Sequence, residues 1–196
     1  MKTTFFFFIK RIGLITALLV LTGCAAYTLK PAGVTKVGDM QFQSTMTWNK
    51  IPSGLGPKTE VWTGDGALLN QFIFVTGIEN GKGMFRDFSK DTPMPKFNSK
   101  VLPHELKTLV ETSLTNTSGG KFPFTGSNLK PHKVGDAMGI EFDLEFFNGD
   151  GLLNRGKVLA FVKNDKLYSV IFSAASTYHY DNYKAEFDAI AKSIKL

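Results

Sequence analysis

The side chains whose types and spacing could do chemistry are three histidines, one acidic row, one thiol and a Tyr-His-Tyr run. His104, His132 and His179 stand far apart in the chain. None has a second histidine within a helical turn, and none has the His-Glu spacing of zinc peptidases. His104-Glu105 opens a helical stretch, where solvation or capping accounts for it. Glu141, Asp143 and Glu145 alternate, so on a strand they share a face. Paired carboxylates can serve glycoside hydrolysis, but Arg155 and Lys157 are placed to neutralise two of these three. The row therefore reads as a salt-bridged surface. Asn148-Gly149-Asp150-Gly151 begins like part of a calcium loop, yet position 159 is Leu and position 162 is Val where a glutamate is required. The chain carries no nucleophile elbow, phosphate-binding loop or dinucleotide fingerprint. No metal, cofactor or catalytic residue is assigned on these grounds. Tyr178, His179 and Tyr180 remain, read either as a partner or ligand surface or as packing on a sheet edge.

The elements that must position these residues follow from hydrophobic period. Met40, Phe42, Met46 and Trp48 alternate with polar residues, which predicts a strand with one buried face. Thr59 to Thr63 and Ala67 to Ile78 flank Gly64-Asp65-Gly66 as a hairpin. Asp87 to Ser99 reads as loop. Leu102, Leu106, Leu109, Val110 and Leu114 have helical spacing, and Pro103 suits a first turn, so a helix is predicted from Pro103 to Asn116. A strand is expected near Ser127 to Val134. Met138 to Phe146 and Leu152 to Lys163 form a hairpin whose register can be chosen. A three-residue loop, Gly149 to Gly151, puts Glu145 opposite Arg155, Asp143 opposite Lys157 and Phe142 opposite Val158, which matches charge and apolar character across the strands. The tight turn Asn164-Asp165 then sets Phe161 opposite Tyr168 and Val158 opposite Ile171. Both faces of these strands are apolar, so both must be covered. A last helix is predicted from Asp181, as cap, to Ile194, with Tyr183, Phe187, Ile190 and Ile194 as its buried stripe. The Gly-Asp-Gly pattern at Asp65 and Asp150 reads as two independent hairpins with the same turn chemistry. The fold class expected is α+β, a mainly antiparallel sheet with helices on both faces.

The amino-terminal segment has a different character. Lys2, Lys10 and Arg11 precede the apolar run Ile12 to Leu21, which at ten residues is short of the roughly 20 needed to span a bilayer. A basic start, a short apolar stretch and small residues describe a secretory signal over residues 1–23. Leu21-Thr22-Gly23-Cys24 resembles the lipobox of bacterial lipoproteins. The resemblance implies that Cys24 receives a diacylglyceryl group, that the chain is cut before it, and that the new amine is acylated. Two or more acyl chains anchor stably. Ala25 after the cysteine implies sorting to the outer membrane, facing the periplasm. Cys24 is the one cysteine in 196 residues, so no internal disulfide holds the domain. Residues 24–36, with Pro31 and Gly33, read as a tether, and residues 37–196 as one globular domain. Loss of the signal removes three of the 23 basic residues and none of the 17 acidic ones. The remaining net charge of +3 shows no clustered basic stripe for nucleic acid.

The final forty residues supply a second likeness. Leu167-Tyr168-Ser169-Val170-Ile171-Phe172-Ser173-Ala174, a short loop, and a helix bearing Tyr183, Phe187, Ile190, Ser193 and Ile194 resemble the end of the PsbP-like fold. That family includes an extrinsic subunit of photosystem II, a nuclear-import factor that binds the Ran GTPase, and bacterial lipoproteins. The resemblance implies an α/β/α sandwich and an accessory or assembly role through protein binding, and it carries over no catalytic residue. The expectation is a non-catalytic envelope lipoprotein with a membrane anchor at Cys24 and an envelope protein as partner. A small-molecule or lipid binder using a pocket between sheet and helix is the first alternative. An envelope hydrolase, needing Ser or Asp beside a His in a cleft, is the second.

Overall fold

The computed structural model describes residues 27–196. The expected signal peptide over residues 1–23, the lipobox and Cys24 lie outside the described residues. Alternating apolar side chains build one eight-stranded antiparallel sheet. Its strands are β1 (Thr28–Lys30), β4 (Trp48–Lys50), β5 (Thr59–Thr63), β6 (Asn70–Ile78), β7 (Thr125–Val134), β8 (Ala137–Phe147), β9 (Leu153–Lys163) and β10 (Lys166–Ala175). They lie in the order β1-β4-β5-β6-β10-β9-β8-β7. A separate hairpin, β2 (Gly33–Val37) with β3 (Met40–Ser44), stands outside that sheet. Two helices complete the domain, α1 (Pro103–Thr117) and α2 (His179–Ser193).

Each face of the sheet is covered, as two apolar faces require. On one face, α2 and the β2–β3 hairpin bury Phe42, Trp48, Trp62, Phe72, Phe74, Phe172 and Phe187. The rings are in contact: Phe42 stacks on Phe74 at 4.9 Å and Phe72 on Phe172 at 5.0 Å. Such pairs contribute about 0.5–1.5 kcal/mol each beyond the area they bury. On the opposite face, α1 buries Leu109, Val110 and Leu114 against Ile140, Phe142, Val158 and Ile171. The segment between β6 and α1 covers the rest of that face with Met84, Phe85, Met94 and Phe97, all buried.

The hairpin register chosen by matching side chains is the observed one. Glu145 pairs with Arg155, Asp143 with Lys157 and Phe142 with Val158. The Gly151 amide donates to the Asn148 carbonyl at 3.0 Å, and Gly151 sits at φ +74°, where an L side chain is strained. Across the next turn, Tyr168 pairs with Phe161 and Ile171 with Val158. Asn164 and Asp165 both have positive φ, 51° and 59°, the geometry that a two-residue hairpin turn demands.

Four expectations need correction. The tether predicted over residues 24–36 contains β1 and most of β2. These strands are held by backbone pairing and not by burial, since Leu29 and Val34 are exposed, so no apolar period announces them. The single strand expected from Met40 to Trp48 is two, because Ser44 Oγ turns the chain by donating to the Met46 carbonyl at 2.8 Å. The second strand of the Asp65 hairpin starts at Asn70 and not at Ala67. The Asn70 side chain closes the loop by accepting from Gly64 N at 2.7 Å and donating to Asp65 Oδ2 at 2.7 Å. Finally, α2 begins at His179, and Asp181 is not its cap. Asp181 lies in the first turn and accepts from Lys184 Nζ at 2.6 Å.

Candidate functional site

Strand direction gives the sheet two distinct ends. β5 and β6 are joined at one end by the loop Gly64–Leu69, which also receives the β10–α2 connection and the β8–β9 loop. Backbone bonds tie these loops together: Ala175 N donates to the Leu69 carbonyl at 2.9 Å and Ser176 N to the Leu153 carbonyl at 3.0 Å. We refer to this as the loop end.

Of the three aromatic positions singled out in the sequence, two are pinned at the loop end and one is free. The His179 ring places Nδ1 at 3.0 Å from Asp65 Oδ2. Tyr183 Oη donates to the same oxygen at 2.7 Å, as does Asn70 Nδ2. Tyr180 is half-buried and stacks on Phe172 at 5.9 Å. Tyr178 packs edge-on against the His179 ring at 5.3 Å and is 67% exposed. Leu68, Leu69 and Phe147, on a loop and a strand end at the same end of the sheet, are also exposed. Of the three residues expected as a partner surface, Tyr178 alone is exposed, and Leu68, Leu69 and Phe147, which period and motif did not single out, are exposed as well.

This constellation is poor at catalysis. Burial, and then the Asp65 carboxylate, push the Tyr183 phenol up to about 12, which keeps it neutral near neutral pH. Asp65 and His179 line none of the five best-formed cavities among the described residues. An Asp beside a His is thus present, outside those five cavities.

The acidic row is split by its partners. Glu141 is buried between strands; its Oε1 lies 3.0 Å from Lys130 Nζ and 3.4 Å from Lys157 Nζ, and its Oε2 lies 2.8 Å from His132 Nδ1. Burial pushes the Glu141 carboxyl up, but hydrogen bonds from Lys130 and His132 and the charge of Lys157 outweigh it, so the net shift is downward. Lys157 also reaches across to Asp188 of α2 at 2.6 Å. Asp143, though paired with Lys157 in register, accepts from Asn128 Nδ2 at 2.8 Å. Glu145 meets Arg155 Nε at 3.1 Å. Two of the three carboxylates are salt-bridged, as expected, but Lys157 meets Glu141 and not Asp143, which an amide holds instead. His104 is exposed at the start of α1, remote from this cluster, and among the described residues no group of three His, Cys, Asp or Glu side chains converges as a metal-holding set.

One buried acid was not legible in the sequence. Glu186 of α2 is 2% exposed. It accepts from Ser44 Oγ at 2.6 Å, from Thr45 N at 3.1 Å, from Thr45 Oγ1, and from Trp48 Nε1 at 3.3 Å. It staples α2 to the crossing between β3 and β4 and so fixes the helix that carries His179 and Tyr183. Among the described residues no helix is long and apolar enough to cross a membrane.

Comparison with known proteins supports the architecture. No family profile matches the chain, and no curated protein matches it in sequence. Among solved structures, the cyanobacterial PsbP of Synechocystis (CyanoP) is similar, with a TM-score of 0.57 at 13% identity, over 90% of this chain and 95% of that one. A Bacteroides thetaiotaomicron protein gives a TM-score of 0.47 at 9% identity, over 87% of this chain and 47% of that one. LpqN of Mycobacterium tuberculosis, whose structure is described as involved in cell envelope biogenesis, gives 0.36 at 10% identity, over 89% and 86% of the two chains. A likeness of the first kind establishes fold and no more: an eight-stranded antiparallel sheet with a helix on each face, the PsbP-like fold, is the architecture of this chain.

Proposed function

We propose that this protein is a cell-envelope lipoprotein, held to the outer membrane by lipid on Cys24, that binds an envelope protein at the loop end of its sheet and performs no catalysis. The observation that carries the binding site is Tyr178, two-thirds exposed yet backed by a ring that Asp65 holds in place. An exposed aromatic on a fixed support loses little conformational freedom on docking, which is what anchor residues at interfaces require. Leu68, Leu69 and Phe147 extend the apolar surface. The lipobox resemblance supports the address. The test is photo-crosslinking in the native envelope with the crosslinker at position 178, and separately at Lys58 on the opposite end. One discrete adduct from position 178, lost on Leu68→Ser, is expected. Equal or no adducts from the two positions would remove the proposed surface.

A further inference from the structure

The end of the sheet opposite the loop end carries a groove of two joined hollows. The first, about 520 Å³, is walled by Lys50, Lys58 and Lys166, with Thr59, Thr76 and the β2–β3 turn. Its two acids are already engaged: Glu60 meets Lys50 at 2.8 Å and Lys30 at 3.6 Å, and Asp39 accepts from Tyr168 at 2.7 Å. Lys58 and Lys166 have no carboxylate partner among the described residues, and both are exposed. The Lys58 backbone is fixed, since its carbonyl accepts from Thr76 N at 2.9 Å. The second hollow, about 380 Å³, shares Pro57, Lys58 and Gly77 with the first and is floored by Ile78, Met84 and Phe85. A cationic hollow that opens directly into an apolar one fits an anion bearing an aliphatic part, and both volumes fall in the range of ligand sites.

Strand register says what lies nearby. β1 pairs Thr28 with Lys50, and β4 pairs Lys50 with Trp62, so β1 starts level with Trp62 and runs toward the loop end, and the chain reaches it from the groove side. Thr28 lies four positions after Cys24, a reach of about 14 Å when extended. We propose that the joined hollows seat an anionic phospholipid of the bilayer, its phosphate between Lys58 and Lys166 and its acyl origin over Ile78, Met84 and Phe85; the choice of a bilayer lipid rests on the Cys24 anchor proposed above. The domain then stands on the membrane by its groove end and presents the loop end outward.

The test is titration of the full-length protein, purified from its own membranes, with dihexanoyl-phosphatidylglycerol below its micelle concentration, followed by NMR shifts. Saturable binding with shifts at Lys58, Gly77, Met84 and Lys166 is expected. The double variant Lys58→Gln, Lys166→Gln should weaken it about 25-fold, at roughly five-fold per membrane-facing lysine. Lys121→Gln with Lys184→Gln, on the loop end, should leave it unchanged. Equal binding of dihexanoyl-phosphatidylcholine, equal binding of glycerol phosphate, or indifference to the Lys58 and Lys166 changes would each overturn the proposal. The intact mass of the same sample reports whether Cys24 is acylated, so failure of the anchor and failure of the groove are read separately.

Discussion

Truncating Glu186 is the perturbation whose cost the structure specifies best. Glu186→Ala removes an acceptor shared by Ser44, Thr45 and Trp48. Thr45 is exposed and can turn to water, and Ser44 Oγ keeps the Met46 carbonyl as its acceptor, but Trp48 is 0% exposed and its indole N–H is stranded. A buried donor left unpaired costs about 1–3 kcal/mol, and this one with the vacated volume gives a loss of about 2–4 kcal/mol. That is a large share of the roughly 5–15 kcal/mol available to a domain. Glu186→Gln keeps the shape and one acceptor oxygen but turns an amide NH2 toward the other donors, so about 1–3 kcal/mol is expected. Urea unfolding followed by far-UV circular dichroism measures both, and an unchanged m-value certifies that stability alone has moved. Trp48→Phe should cost less in the Glu186→Ala background than in the wild type, because the orphaned indole N–H is removed with it. A Glu186→Ala cost under about 1 kcal/mol would refute the reasoning, since solvent would then be reaching a site assigned to the core.

Three further outcomes are expected. Asp165→Gly should raise stability by about 0.5–1 kcal/mol, because a glycine is unstrained at the positive φ of that turn; calorimetry of the melting transition checks it. Gly156→Ala should destabilise by more than about 2 kcal/mol, since a Cβ there would lie 2.0 Å from the Phe172 carbonyl oxygen; urea midpoints decide it. Burial, and then the Asp39 carboxylate, push the Tyr168 phenol up to about 12. A folded-state value above the unfolded value of about 10 means that the stabilisation is complete below pH 10 and is lost as pH rises toward about 12. Stability measured against pH should therefore show the wild type and Tyr168→Phe differing by a constant amount up to pH 10 and converging above it.

What the chain makes legible depends on how local the physics is. The β8–β9 register could be read because each candidate pairing puts specific charges and apolar groups opposite one another, and only one satisfies both. Helix α1 was readable from five periodic apolar positions and a proline. Non-local partners were not. Glu186 looks like a solvated helix acid until a segment 141 residues away in sequence supplies Thr45, and Asp65 looks like a turn residue until His179 and Tyr183 arrive from the other end of the chain. Met94 and Phe97, within the stretch read as loop, and Met84 and Phe85, just before it, were not legible as core, because irregular backbone has no period to reveal which side chains it buries. β1 escaped notice for the opposite reason: it is an edge strand that buries little. The exposed face of Tyr178 could be suspected from the Tyr-His-Tyr run, but its support and its apolar neighbours could not.

The address of the protein decides the meaning of both ends of the sheet, and it is settled by the amino terminus of the mature chain. Intact mass spectrometry of the protein extracted from its own membranes, before and after alkaline release of esterified lipid, reads it directly. A chain beginning at Cys24 and carrying acyl mass, most of which alkali removes, is the expected result. A chain that retains residues 1–23 and an unmodified thiol at Cys24 would contradict the account.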